Sequence, residues 1–206
     1  MIRKNILLLV ALVLCLSSFG QKVSSSRKDD KLKQIYTMEN ILSRSSVRDY
    51  TDKPLEKDQI ITLLKAAMAA PSAVNKQPWD FIVITQRDIL DNMAQLLPNA
   101  KMLHRAPCAI VVCGNLKKAL DGENQEYWIQ DCSAATENLL LAAHALNLGA
   151  VWTGVYPSKE RVKIVQKVLN LPEFIIPLNV IPIGYPQEEG KPKDKFKDEN
   201  IHWERW

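Results

Sequence analysis

The chain has 206 residues, of which 47% are hydrophobic and 24% are charged, and its formal net charge is +4 at pH 7. This length accommodates one domain with a proper apolar core, and the composition is that of an ordinary globular protein. The positive charge is mild and spread along the chain instead of forming a dense basic stripe, which argues against a nucleic-acid-binding protein.

The first 20 residues predict a secretory signal peptide. Two basic residues precede an apolar run at 6–16, and small residues then precede Gln21, which is the usual order of such a signal. We expect cleavage near Gly20–Gln21 and a mature protein that is exported, either periplasmic or secreted. The run is too short for a comfortable membrane span, so no stable span is expected in the mature chain. A lipidated Cys15 and an uncleaved anchor are the alternatives.

The rest of the chain alternates helical and strand patterns. Residues 21–35 are rich in Ser, Lys and Asp without apolar periodicity, which predicts a flexible leader before a domain at 36–206. The nearly all-apolar strand in the middle of that domain is typical of a sheet covered on both faces, and the predicted class is α+β. Hydrophobic spacing predicts these elements in order: a short helical stretch at 38–42, a helix at 53–70, a strand at 79–85, a helix at 88–97, a strand at 109–113, a helix at 126–148, a strand at 150–155, a helix at 159–169 and a strand at 178–183.

The cysteines and histidines predict neither a disulfide framework nor a metal site. An odd number of cysteines remains after cleavage, within apolar segments, and we interpret all three as small buried hydrophobic residues. The three histidines lie in different predicted elements without the spacing of metal ligands. A Walker loop and a GxGxxG motif are absent from the sequence, which argues against the corresponding nucleotide-binding folds.

The segment 44–50, Arg-Ser-Ser-Val-Arg-Asp-Tyr, predicts a phosphate-binding site. In extended backbone Arg44, Ser46 and Arg48 would point to one side. Guanidinium groups offer planar forked donors and serine hydroxyls add short neutral ones, a combination that suits phosphate oxygens.

The segment 71–79 places Ser, Asn and Gln between two prolines and ends on Trp79. It reads as a rigid polar loop that could bond the edge of a flat heterocycle, although a stiff turn entering a strand is the alternative. Trp79 itself is expected in the core, since aromatic side chains mostly bury area. Together the two segments suggest a phosphorylated, planar cofactor.

Four motifs in this order give the chain a resemblance to the nitroreductase family of FMN-dependent oxidoreductases, from about Met38 to Trp206. The motifs are 44–50, 70–79, Leu-Gly-Ala-Val-Trp-Thr-Gly at 148–154, and Ile-Gly-Tyr-Pro at 183–186 with the basic run that follows. The resemblance implies a central mixed or antiparallel sheet flanked by helices, and an intertwined homodimer with FMN at the subunit interface. It also implies ping-pong electron transfer from a small-molecule donor such as NAD(P)H to a nitroaromatic, quinone or similar acceptor.

The resemblance also assigns cofactor-binding residues at the phosphate end. Arg44, Ser45 and Ser46 would lie near the FMN phosphate, and Arg48 nearer the pyrimidine edge of the flavin. Lys193 and Lys195 of the closing basic run would close over the phosphate. Two positions depart from the usual pattern, because a second Arg or a His is more common at Ser45 and an Arg at Lys195.

At the flavin end the resemblance implies that Pro71 and Ser72 reach the FMN of the partner subunit, and that Asn75 and Gln77 line the flavin and substrate end. The backbone near Thr153 and Gly154 would approach flavin N5, where a glycine leaves room because it has no Cβ. A main-chain N–H would then serve at N5, so no catalytic side chain is expected.

Other functions remain open at this point. The chain could be a flavin-dependent dehalogenase or flavin-fragmenting enzyme, a non-catalytic exported flavin carrier, or an exported structural protein that no longer binds FMN. The signal peptide adds a further hypothesis. An exported flavoenzyme lacks ready access to cytosolic NAD(P)H, so its natural reductant would not be a free nicotinamide.

Overall fold

The computed structural model describes residues 29–206. The chain divides into two compact units at the junction of Leu42 and Ser43. The predicted signal peptide, its cleavage site and the first part of the predicted leader lie outside the described residues.

A helix, α1, occupies residues 29–43. Residues 29–35 of this helix belong to the segment predicted to be a flexible leader, so that prediction differs from the structure there. Lys33 Nζ lies 3.9 Å from Asp30 Oδ1, and an exposed i,i+3 pair of opposite charges supports a helix by only about a few tenths of a kcal/mol. The Thr37 hydroxyl also donates to the Lys33 carbonyl at 2.7 Å. Apolar periodicity is weak in these turns, so the sequence pattern gave no indication of the helix.

Residues 43–206 form an α+β unit, which confirms the predicted class. Short 3₁₀ turns lie at Ala73–Asn75, Lys101–His104, Gly122–Asn124 and Asp198–Asn200. The helices and strands follow the predicted order with ends that differ by a few residues: α2 (Lys57–Met68), β1 (Trp79–Ile84), α3 (Arg87–Leu96), β2 (Cys108–Asn115), α4 (Tyr127–Ala145), β3 (Gly149–Ala150), β4 (Thr153–Gly154), α5 (Lys159–Leu169) and β5 (Ile175–Gly184).

Every pairing in the sheet is antiparallel, and the strand order is β1-β2-β5-β3, with β4 also pairing with β5. The predicted strand at 150–155 is split into β3 and β4, although both pieces keep one register against β5, since Ala150 faces Ile183 and Thr153 faces Val180. That register places Val151 opposite Pro182, which has no N–H to donate, and the ladder is interrupted there.

The core lies on both faces of the sheet. All eight residues of β2 are buried, and alternate side chains enter two clusters. Ile110 and Val112 pack with α2 and α4 on one face, whereas Ala109 and Val111 pack with α3 and α5 on the other. The prediction of a sheet covered on both faces is confirmed, because a strand buried on both sides needs an almost continuous apolar sequence.

The cysteines and Trp79 lie where the sequence predicts them. Cys108, Cys113 and Cys132 are free and buried, and burial raises the pKa of the Cys108 thiol to about 12. Burial also raises the pKa values of the other two thiols. Trp79 is 6% exposed and belongs to the cluster of α2 and α4.

In the part of the chain that the structure describes, no helix is both long enough and apolar enough to cross a bilayer. Over the same residues, no three His, Cys, Asp or Glu side chains are grouped in a way that could hold a metal ion.

Candidate functional site

The segment after α1 is tied to the end of the sheet by backbone hydrogen bonds. Val47 N–H donates to the Ala150 carbonyl at 3.1 Å, and Thr51 N–H donates to the Tyr185 carbonyl at 2.9 Å. Tyr50 forms an isolated antiparallel bridge with Pro186. The predicted phosphate-binding segment is therefore fixed beside the C-terminal end of β5, where the chain leaves the sheet for its final residues.

Tyr50 locks this segment in place. Its side chain is fully buried, and its hydroxyl lies 2.7 Å from the Val47 carbonyl oxygen and 3.2 Å from that of Pro182. Burial raises the pKa of this phenol, outweighing the opposing effect of the Arg48 charge. Tyr50 was not among the predicted site residues, although its position directly after the Arg-Ser cluster was a usable signal.

A basic cavity of about 240 Å³ lies against this segment. Its residues come from two stretches of sequence separated by more than a hundred positions, and every residue predicted at the phosphate end is among them. Lys191 is an addition that the sequence analysis left out, although it belongs to the same basic run. The lining consists of Arg44, Ser45, Ser46, Arg48, Lys191, Lys193 and Lys195.

The charge of the basic cavity is largely uncompensated. Arg44 is the exception, because its Nε lies 3.3 Å from Glu137 Oε1 of α4. That nitrogen is nevertheless buried without a hydrogen-bond partner, so the contact is an attraction of charges without a directed bond. Within residues 29–206, the other four cations have no carboxylate at ion-pair distance. An anion is therefore the expected occupant, and the forked donors of arginine suit phosphate.

Gly190 brings the final stretch of chain against the first motif. A Cβ at this position would overlap Ser45 Oγ and lie 3.4 Å from Val47 Cγ2. The glycine thus leaves room for the side chains of Ser45 and Val47, and this close packing places the final stretch, with its three lysines, against the segment that carries the two arginines.

The loop between α2 and β1 has a strained backbone. Val74, Asn75 and Gln77 have φ values of 50°, 56° and 49°, which place three non-glycine residues in the left-handed region. Such a conformation costs on the order of 1 kcal/mol or more for each residue, and it is especially unusual for the β-branched valine. Strain of this kind persists only when the surroundings hold it.

Hydrogen bonds hold the loop. Ala73 N–H donates to Asp131 Oδ1 at 2.8 Å, and Gln77 N–H donates to Ser72 Oγ at 2.9 Å. Of the four residues predicted here, Pro71, Ser72, Asn75 and Gln77, none lines the basic cavity of its own chain. Their contact with the FMN of a partner subunit stays a prediction.

The predicted flavin-facing backbone lies at β4. The Thr153 side chain is buried and its hydroxyl donates to the Val180 carbonyl at 2.5 Å, so it supports the sheet. The Gly154 carbonyl accepts from Arg161 Nη1 at 2.9 Å, a positioning contact that the sequence analysis missed. A Cβ built on Gly154 would meet no atom within 4 Å, so this backbone borders open space.

Gly154 and the segment that carries the two arginines of the cavity lie along the same edge of β5. Gly149, which packs on Val47, pairs with Gly184, whereas Gly154 pairs with Asn179. Five residues of strand separate the two positions, which corresponds to roughly 16 Å. The arrangement therefore provides an anion-binding end and an open backbone end, the two features that a flat cofactor with a phosphate tail requires.

The Nitroreductase family model matches this chain over residues 41–99 and 92–185. The chain belongs to the nitroreductase family. The nitroreductase fold and the class of oxidoreductase enzyme, both implied by the resemblance of the motifs, are thereby confirmed.

Relatives of this nitroreductase-family protein are similar over most of their length. A protein of Methanothermobacter thermautotrophicus named "Putative NADH dehydrogenase/NAD(P)H nitroreductase" is 43% identical over 86% of this chain and 92% of its own length. A crystal structure of the same name from Parabacteroides distasonis is 51% identical with a TM-score of 0.79, covering 83% of this chain and 99% of that one. An FMN-dependent nitroreductase structure from Clostridium difficile is 29% identical with a TM-score of 0.75, covering 82% and 99% respectively.

Proposed function

We propose that this oxidoreductase is FMN-dependent and transfers electrons from a reductant such as NAD(P)H to a nitroaromatic, a quinone or a similar acceptor. The observation that carries the proposal is the basic cavity, in which four cations have no carboxylate partner among the described residues. The open backbone at Gly154, on the same strand edge, supplies the second half of a site for FMN. The name of the Clostridium difficile relative adds support, since that protein is called FMN-dependent.

The residues present fit FMN in distinct roles. Arg44, Ser46 and the three lysines would hold the phosphate, because guanidinium, hydroxyl and ammonium donors satisfy its oxygens. Arg48 would place positive charge beside the pyrimidine edge, and the Gly154 backbone would lie against the central ring. FMN, when bound, supplies the hydride and electron chemistry, so the protein binds and orients without an acid or base side chain.

We propose that the enzyme works as a homodimer with ping-pong kinetics, in which the oxidised donor leaves before the acceptor binds. The position of the loop 71–78 supports the dimer. Its polar residues do not line the basic cavity of their own chain, and a second copy offers them a flavin to contact.

The predicted signal peptide makes export part of the proposal. It also raises a competing hypothesis to NAD(P)H, in which the natural reductant of the exported protein is not a free nicotinamide. Two alternatives remain as outcomes of the test: a non-catalytic exported flavin carrier, and a dehalogenase-like enzyme.

The visible spectrum of the purified mature protein, followed by anaerobic titration, tests the function. We expect a yellow protein whose flavin is bleached by a donor and recovered by a nitroaromatic or quinone acceptor. Flavin that no donor reduces would indicate a carrier, and recovery by a halogenated phenol alone would indicate a dehalogenase. A colourless protein that binds no added FMN would overturn the proposal. Reduction at micromolar NADH or NADPH would contradict the hypothesis of another reductant.

Replacing Arg48 with Ala tests the assignment of the site. We expect FMN to bind more weakly by roughly 1.5–3 kcal/mol, since a charge-assisted hydrogen bond is lost. That difference corresponds to an increase of tenfold to about a hundredfold in the dissociation constant, measured by quenching of flavin fluorescence. Lys167→Ala, which removes an exposed cation of α5 outside the cavity, is the matched control. Equal affinity in the two variants would contradict the assignment.

A further inference from the structure

We propose that Asp131 is the positioning residue of the loop 72–77, and that its carboxylate holds this strained backbone in the conformation that meets the cofactor. The contact between the loop and the cofactor rests on the proposed function. The restraint of the loop by Asp131 does not, because it follows from the hydrogen bonds and the backbone geometry of this chain alone.

The loop needs an external restraint. Three of its residues have left-handed backbone, a conformation that non-glycine residues leave readily when nothing holds them. Apolar packing supplies little of the restraint, because the Val74 side chain is 83% exposed and Asn75, Lys76 and Gln77 are exposed as well. Within a single chain, hydrogen bonds therefore supply most of the restraint.

Asp131 provides the restraint from outside the loop. The bonds from Asn75 N–H to the Ser72 carbonyl and from Lys76 N–H to the Ala73 carbonyl, both 3.0 Å, join the loop to itself. The bond from Gln77 N–H to Ser72 Oγ does the same. Among the described residues, the bond from Ala73 N–H to Asp131 Oδ1 is the one hydrogen bond that ties 72–77 to the rest of the protein.

The character of Asp131 suits this role. It lies on α4, the long helix packed against the sheet, and is only 6% exposed. No Lys or Arg in the described part of the chain pairs with it, so its burial is costly unless hydrogen bonds compensate. A hydrogen bond from a backbone amide to a carboxylate is about twice as strong as a neutral one. A rigid helix thus presents a strong acceptor at the start of the strained turns.

Tryptic cleavage after Lys76 measures the restraint without any cofactor. In apo protein we expect Asp131→Ala to be cut at Lys76–Gln77 at least about tenfold faster than the natural chain, because a charge-assisted bond no longer opposes local opening. Asp131→Asn keeps a carbonyl oxygen that can accept the Ala73 amide. Because that bond is neutral and weaker, we expect a cleavage rate between those of the natural chain and Asp131→Ala. Mass spectrometry identifies the fragment, and the melting temperature reports global stability.

Asn138→Ala is the matched control, because Asn138 lies on the same helix and donates to a backbone carbonyl of α2, that of Ala66, instead of the loop. We expect natural cleavage at Lys76 in this control. If Asp131→Ala fails to fold, Asp131→Ser replaces it, since the serine hydroxyl is one bond shorter and falls short of the amide. Unchanged cleavage in a folded Asp131→Ala or Asp131→Ser variant would overturn the proposal. So would equally fast cleavage in Asp131→Asn.

The FMN dissociation constant gives the second readout. We expect an increase of about tenfold in Asp131→Ala, in line with one lost charge-assisted bond, and partial recovery in Asp131→Asn, whose bond is neutral. A folded Asp131→Ala with fast cleavage and unchanged FMN affinity would overturn the part that concerns the cofactor. If the natural protein binds no FMN, the proposed function fails, whereas the cleavage rates still decide whether Asp131 holds the loop.

Discussion

At most other glycines of the structure, packing or backbone conformation explains why a residue without a side chain is present, but at Gly154 neither does. A Cβ at Gly114 would strike the Trp128 ring, and one at Gly149 or Gly184 would strike Val47 or Pro107. Gly122 has a positive φ of 63°, which favours glycine. Neither packing nor backbone conformation calls for a glycine at Gly154, where a Cβ would meet no atom within 4 Å. A ligand that occupies that space would explain it.

Gly154→Ala separates these reasons. We expect the free energy of unfolding to stay within about 0.5 kcal/mol of the natural value, as for substitutions away from packed features. FMN affinity should fall at least about tenfold, because the methyl group would enter the space proposed for the flavin, and overpacking of this kind costs about 1–3 kcal/mol. Urea denaturation and flavin titration measure the two effects. Gly149→Ala should instead lower the free energy of unfolding, because its Cβ would strike Val47. A Gly154→Ala variant with natural FMN affinity would contradict this placement of the flavin.

The segment 44–50 shows how an irregular stretch of chain can be rigid. It has no regular secondary structure, yet its backbone is bonded to β3 and to the residues after β5, and the buried Tyr50 hydroxyl bonds to the segment itself. The arginines of the cavity are therefore carried on a fixed support, which reduces the conformational entropy lost when an anion binds.

Tyr50→Phe tests this support. Removal of the hydroxyl leaves the partly buried Val47 carbonyl and the buried Pro182 carbonyl without their side-chain donor, and we expect a loss of about 1–2 kcal/mol in the free energy of unfolding. For a chain of this size that loss lowers the melting temperature by roughly 2–8 °C. Tyr127→Phe removes a hydroxyl from a side chain that is 43% exposed and should change the melting temperature little. A Tyr50→Phe protein as stable as the natural one would show that the Tyr50 hydroxyl does not stabilise the segment 44–50.

Sequence patterns predicted most elements because their apolar periods are strong. The apolar run of β2 and the apolar side chains at three- and four-residue steps in α2 and α5 could be recognised from neighbouring residues alone. The split between β3 and β4 could not be predicted, because it depends on Pro182 of a distant strand. Tyr50 and Asp131 were missed for a related reason, since each acts on a carbonyl or amide that only the folded chain brings near. The basic cavity was predictable through its motifs, although its Lys191 was not singled out.

Buried thiols and a buried phenol make the stability of the folded protein depend on pH in the alkaline range. Three thiols and the Tyr50 phenol are buried and hold their protons more tightly in the folded state, since burial raises the pKa of each group. A thiol with the ordinary pKa of 9.0 loses its proton in the unfolded chain well before Cys108, whose pKa is about 12, loses it in the folded one. Between these values the unfolded state binds fewer protons, so stability decreases as the pH rises.

We expect the free energy of unfolding to be nearly constant up to about pH 8 as far as these groups contribute, since their titration in the unfolded chain begins about one unit below the pKa. It should then fall by about 1.4 kcal/mol per pH unit for each buried thiol. Urea denaturation under reducing conditions at pH 8, 9, 10 and 11 measures the slope. Cys108→Ala should remove about one thiol's share of it. A profile that stays flat to pH 11 would show that these thiols ionise equally well in the folded protein.

The basic cavity draws its cations from residues 44–48 and 191–195, near the start and the end of the domain, and Gly190 seats the second group on the first. During synthesis the arginines leave the ribosome long before the lysines exist. A nascent polypeptide that lacks residues 191–195 can therefore present only the two arginines of the basic cavity. The FMN proposed for this cavity would be held firmly only after both groups of cations have been synthesised.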